Sequence, residues 1–219
     1  MSQYHQLMGA LGETGFVQRI LGIDNGTNTV GFALLECNVR TGHVTVIDAF
    51  TLEAKKISHR YGDLFVNHDE LHCRMLGISD TLRDVLHHYN PDVVCVESPF
   101  DYPGRADAFA KLSVVLSHLR FTVYAFDPLI TFTTVTPMEA KKAVGAGTYI
   151  VGKEPIRDAV SRLHDVTYAN GVCTSVLDEH GIDAIAVGYT ESRRSLIRGP
   201  KNGIPGNSPG VICKKSSRN

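Results

Sequence analysis

Apolar positions define the first elements. Ile20-Leu21-Gly22-Ile23 is an unbroken run without a charged residue, and residues 29–35 and 44–52 carry similar β-rich stretches. The turns Asn25-Gly26-Thr27-Asn28 and Arg40-Thr41-Gly42 separate the three, which predicts an antiparallel meander. The period then changes. Leu71, Met75, Ile78, Leu82 and Val85 recur at spacings of 4, 3, 4 and 3, painting one face of a helix. Asn67 with Glu70 supplies a candidate N-cap pair for it. Pro91 breaks that helix, and residues 92–97 form a short strand, apolar enough to be buried on both faces.

A second helix is predicted over residues 105–119, with Ala108, Leu112, Val115 and Leu119 on one stripe. Residues 121–126 and 131–136 read as further strands. Short helices follow at residues 137–144, with Pro137 suited to the first helical position, and at residues 154–163. A last helix covers residues 175–193. Beyond Gly199-Pro200 the chain turns to Gly, Pro, Ser, Asn and Lys, with too few apolar residues to pack. This order predicts one α/β domain with a mixed sheet: an N-terminal extension at 1–18, a domain at 19–194 and a basic tail at 195–219.

Composition narrows the class. A chain of 219 residues with 43% hydrophobic and 21% charged positions is ordinary for a globular domain able to build its own core. No stretch approaches the roughly 18 apolar residues of a membrane span, and residues 1–15 carry neither a secretory nor a mitochondrial address. The expected location is therefore the cytoplasm. Five cysteines, an odd number without a CxxC pair, indicate a reducing compartment with no disulfide frame and no thiolate zinc site. The net charge of -1 conceals an asymmetry: seven basic residues and no acidic ones lie in 192–219, leaving 15 basic against 23 acidic residues before them. A basic tail on an acidic body suits a polyanionic partner, although a solvated chain end has the same composition.

The candidate chemistry lies in four residues. Asp24 ends the first strand, in front of a Gly-containing turn, and Glu97 ends the strand after Pro91. Strand carboxyl ends are where ligands gather in open α/β sheets. His180 and Asp183 stand three apart, on one face of the last helix, and Asp183 lies in the apolar stretch Ile182-Asp183-Ala184-Ile185-Ala186-Val187. Burying such a carboxylate is costly unless something pairs with it, and a cation shared with Asp24 would do so. Oxygen ligands with one imidazole suit Mg²⁺ or Mn²⁺ better than zinc, and two such ions would fit phosphodiester cleavage. Taken singly, Asp24 fits a turn, Glu97 a solvated strand end and His180 a helix surface. The four together, in this order and each on its own kind of element, are far less expected by chance.

The segments Leu21-Gly22-Ile23-Asp24-Asn25-Gly26-Thr27, Val93-Val94-Cys95-Val96-Glu97 followed by Phe100, and His180-Gly181-Ile182-Asp183-Ala184-Ile185-Ala186 resemble the RuvC family of Holliday junction resolvases, within the retroviral-integrase and RNase H-like fold. The resemblance spans residues 20–191. It implies an RNase H-like mixed five-stranded sheet, three antiparallel strands followed by parallel ones, flanked by helices. It implies that Asp24, Glu97, His180 and Asp183 are catalytic ligands of two Mg²⁺ or Mn²⁺ ions, and that a homodimer cuts a four-way junction or other branched DNA. Family members carry Asp or His at the position of His180. Phe100 matches an aromatic that meets bases at the junction centre, Lys141 and Lys153 match lysines along the DNA path, and Lys142 and Arg105 join them as DNA contacts. Phe109, Val114 and Leu116, off the main stripe of the 105–119 helix, offer a dimer seam or further monomer core. The chain departs from the cellular pattern at Asn25, where Pro is usual, and in its longer meander loops and basic tail, which fits a divergent, phage-type member.

Other functions compete. The segment Gly22-Ile23-Asp24-Asn25-Gly26-Thr27 also resembles the first phosphate loop of sugar kinases and actin-like ATPases, but those need two such domains and more chain. A non-catalytic junction-binding protein would not need the acidic set. A nuclease of the same fold acting on RNA–DNA hybrids or flaps remains a full alternative.

Overall fold

The sheet runs β5-β4-β1-β2-β3-β6 and carries helices on both faces. The structure, a computed structural model, describes residues 17–100, 104–147 and 154–198. In chain order its elements are β1 (Val17–Asp24), β2 (Thr29–Asn38), β3 (Val44–Glu53), α1 (Ala54–Ile57), a 3₁₀ segment (Ser58–Val66), α2 (Glu70–Tyr89), β4 (Val93–Glu97), α3 (Ala106–Phe126), β5 (Thr131–Val135), α4 (Pro137–Ala143), α5 (Glu154–Ser161), β6 (Val166–Tyr168) and α6 (Glu179–Arg198). The meander β1–β3 is antiparallel as expected, and β4 and β5 add to it in parallel, with Ile23 opposite Val96 and Val96 opposite Thr134.

Alternation along the strands explains the two-sided core. Ile20, Leu35 and Cys95 point to the face covered by α4, α5 and α6, where Ile182, Ile185 and Ala186 meet them. Leu21, Ile23, Phe32, Val94 and Val96 point to the opposite face, against Ile78, Leu82 and Leu86 of α2 and Leu119 of α3. As expected of a strand covered on both faces, Val93 to Val96 are all buried. Cys37, Cys73 and Cys95 are buried free thiols acting as small apolar groups, and burial pushes the Cys95 thiol up to about 12. Among the described residues no helix is long and apolar enough to cross a membrane.

Four expectations need correction. The sheet has six strands rather than five: β6, three residues long, pairs with β3, and so short a strand leaves no periodic signal. Residues 121–126 are not a strand but the end of α3. Their aromatic and β-branched composition favours a strand, but no Gly or Pro interrupts the helix. Val115, Leu119, Thr122 and Val123 continue one buried stripe, and the Thr122 hydroxyl donates to the His118 carbonyl. Helix α2 is capped by Asp69, which accepts from the His72 N–H, and not by Asn67. It ends at Asn90, in the left-handed region at φ 45°, immediately before Pro91. The last helix starts at Glu179 rather than 175, because Asp178 caps it by accepting from the Gly181 N–H at 2.9 Å, and it continues to Arg198.

Candidate active site

The first carboxylate stands where strand and turn meet. Asp24 is the final residue of β1 and only 7% exposed. Its parallel neighbour β4 ends at Glu97, one position beyond the Ile23–Val96 pair, so the two acids leave the same sheet edge side by side. Helix α6 supplies the rest. It can approach β1 closely because Gly22 has no side chain, and this brings Asp183 and His180 over the strand ends.

The electrostatics follow from crowding. Burial, and then the charges of Asp24 and Asp183, push the Glu97 carboxyl up to about 8; a hydrogen bond with Asp24 adds to this and the Lys141 ammonium opposes it. Burial and the Asp24 charge push Asp183 up to about 7, with His180 and Lys141 pulling the other way. Three carboxylates thus share a pocket with too little positive charge to keep all of them ionised. A divalent cation would relieve that deficit, and the all-oxygen set with one nearby imidazole suits a hard ion. Among the described residues no group of three or more His, Cys, Asp or Glu side chains already forms an ion cage.

His180 is engaged at both ring nitrogens. Nδ1 lies 2.6 Å from Oδ2 of Asp24 and Nε2 lies 2.8 Å from the Thr29 hydroxyl, with Glu179 3.9 Å from Nε2. The bond to Asp24 raises its pKa, partly offset by burial. Beside it, burial raises the Asp178 carboxyl, but hydrogen bonds from Thr51 and the Gly181 N–H outweigh this and leave it lowered.

The acids lie in a cleft of about 970 Å³ whose walls include Phe100, Arg105, Phe109, Lys141 and Arg157. Phe100, 45% exposed, is a residue of the wall and not of the core. Lys141 is carried by α4, whose start is fixed by a full capping box: the Thr136 hydroxyl accepts from the Glu139 N–H and the Glu139 carboxylate accepts from the Thr136 N–H. Lys142, its neighbour, is exposed and is not part of the cleft wall. Lys153 lies outside the described residues. Phe109 and Val114 are 37% and 46% exposed, whereas Leu116 packs into the core beneath α2 and α3.

Thr29 and Arg157 escape the sequence reading. Arg157 is an unremarkable surface-type residue until α5 brings it to the cleft, where it donates to the Thr174 carbonyl. Thr29 is an ordinary strand residue until α6 packs on the sheet and brings His180 to its hydroxyl.

Residues 20–190 match the family described as "Crossover junction endodeoxyribonuclease RuvC". A relative of that description from a Nitratiruptor species is 25% identical over 181 residues, 82% of this chain and 98% of the relative. Another, from Prochlorococcus marinus, is 28% identical over 151 residues, covering 68% of this chain and 82% of its own length. Among solved structures, T. thermophilus RuvC in complex with Holliday junction substrate superposes with a TM-score of 0.57 at 18% identity, covering 82% of this chain and 98% of that one, a likeness of fold.

Proposed function

The chain belongs to the crossover junction endodeoxyribonuclease RuvC family and is a junction-resolving endodeoxyribonuclease; from that premise we propose that it cuts a four-way junction at the cleft where Asp24, Glu97 and Asp183 converge. The observation that carries this is the convergence of Asp24, Glu97 and Asp183 in one cleft, where burial and the Asp24 charge push both of the other carboxyls up. Three crowded acids, two at paired strand ends and one on the helix above them, make sense if their charge is used to hold cations.

We assign Asp24, Glu97 and Asp183 as ligands of two Mg²⁺ or Mn²⁺ ions. Such ions, when bound, supply an activated water and stabilise the departing 3′ oxygen. His180 is held between Asp24 and Thr29 and orients Asp24; on releasing one of those bonds it would complete an ion's shell or manage a proton at the attacking water. Arg105, Lys141 and Arg157 would meet backbone phosphates along the cleft wall. Phe100, at the rim, would stack on an unpaired base at the junction centre.

A junction has near two-fold symmetry, and a two-fold dimer would place one cleft on each of two opposed strands. The exposed faces of Phe109, Val114, Phe121 and Tyr124 along α3 are the surface we assign to that seam. The test is an assay on a synthetic four-way junction with Mg²⁺ or Mn²⁺, against duplex, flap and RNA–DNA hybrid controls. Paired symmetric nicks that vanish in Asp24→Asn support the assignment. Hybrid cleavage without junction cleavage overturns it.

A further inference from the structure

Thr29 and Gly31, two apart on β2, both face the start of α6. The Thr29 hydroxyl reaches Nε2 of His180, and a Cβ on Gly31 would stand 2.0 Å from the His180 carbonyl oxygen. The strand is therefore pressed directly against the backbone that carries His180. The imidazole is tied at opposite sides of its ring, to Asp24 through Nδ1 and to Thr29 through Nε2. A ring tied at one nitrogen still rocks about its Cβ–Cγ bond within a broad torsional well. The second tie narrows that range.

A hydroxyl is well suited to this place. It donates to Nε2 of a neutral ring and accepts from Nε2–H of a protonated one. The residue before it is anchored: the Asn28 carbonyl accepts from the Lys55 N–H at 3.3 Å, and the Asn28 side-chain oxygen accepts from Arg74 of α2. The chain of contacts thus runs from α2 through the β1–β2 turn to Thr29, His180 and Asp24.

We propose that Thr29 is a positioning residue for strand cleavage: its hydroxyl holds the His180 imidazole in the orientation that keeps Nδ1 on Asp24. The proposal rests on the junction-cleavage reading above. Nothing in it requires Thr29 to touch DNA or an ion.

Thr29→Val keeps the branching and volume but removes the hydroxyl, and Thr29→Ser keeps the hydroxyl. Three quantities are measured: the ring-nitrogen resonances of His180 in metal-free protein, the cleavage rate at saturating junction, and the junction Kd. In Thr29→Val the Nε2 resonance moves toward that of a non-bonded ring nitrogen. The saturated rate falls roughly tenfold, the equivalent of one net hydrogen bond, and the Kd stays. Thr29→Ser restores both. An unmoved Nε2 resonance with a wild-type rate in Thr29→Val overturns the proposal, as does a loss that Thr29→Ser fails to restore at an unchanged melting temperature. Wild-type protein that cuts no junction overturns the nuclease reading and with it the role in cleavage, while the nitrogen resonances still report whether Thr29 holds the ring.

Discussion

Gly22 of β1 and Gly188 of α6 lie back to back: a Cβ on Gly22 would fall 2.6 Å from the Gly188 backbone nitrogen and 2.3 Å from the Ala184 carbonyl oxygen. Because these are backbone atoms, no side-chain rotation can make room. The contact sets how near α6, and with it Asp183, comes to Asp24. Gly22→Ala is therefore expected to destabilise the fold by about 1–3 kcal/mol, the usual range for overpacking. Urea unfolding measures this, and junction cleavage is expected to fall more steeply than stability because the acids are moved apart.

The raised carboxyls give the metal-free protein a defined pH dependence. Glu97 rises from an ordinary 4.5 to about 8, so folding favours its protonated form. That stabilisation is complete below about 4.5 and is lost as pH climbs through about 8. In chelator, the melting temperature should fall across that window, and Glu97→Gln should reduce the fall to the share of Asp183, whose carboxyl is raised to about 7, while abolishing cleavage. A divalent cation should reverse the fall in wild type and not in Glu97→Gln. A melting temperature that rises over the same window in chelator would contradict the crowding of charge described above.

Asp24 acts on every other member of the site, on His180 and Glu97 by hydrogen bonds and on Glu97 and Asp183 by charge. Asp24→Asn keeps the shape and removes the charge. Loss of several kcal/mol of transition-state stabilisation corresponds to a fall of roughly a thousandfold or more in cleavage rate, with junction binding retained. A single-turnover assay beside a gel-shift titration separates the two.

Arg194 ties α6 to the wall that carries Lys141. Its guanidinium donates to the Thr134 carbonyl at 2.8 Å and to Glu139 at 2.7 Å, and stands 3.7 Å from Glu191, which is 1% exposed. Arg194→Met removes two charge-assisted bonds from the β5–α4 corner and is expected to destabilise by about 1–3 kcal/mol. Thermal melting reads that loss. Junction Kd should also rise, because the corner that presents Lys141 loosens.

Phe100→Ala addresses the stacking role alone. The side chain is 45% exposed and outside both core clusters, so melting should barely change. Losing one base stack weakens binding by about 1–3 kcal/mol, read as a rise in Kd for a junction with unpaired central bases. An unchanged Kd would remove Phe100 from the DNA-contacting set.

The sequence by itself determined the meander, the buried β4, the two-faced packing and the places of Asp24, Glu97, His180 and Asp183, because each rests on local periodicity or on a charge set against an apolar run. Tertiary structure decided the rest. Phe121 and Tyr124 look β-prone, yet α3 continues through them because Val115, Leu119 and Val123 find one core to bury against. Strand β6 exists only because β3 offers it an edge. Lys141 lines the cleft and Lys142 does not, a difference set by how α4 is docked. Thr29 meets His180 across 151 positions of chain, and no period along the chain encodes a contact made only when α6 packs onto the sheet.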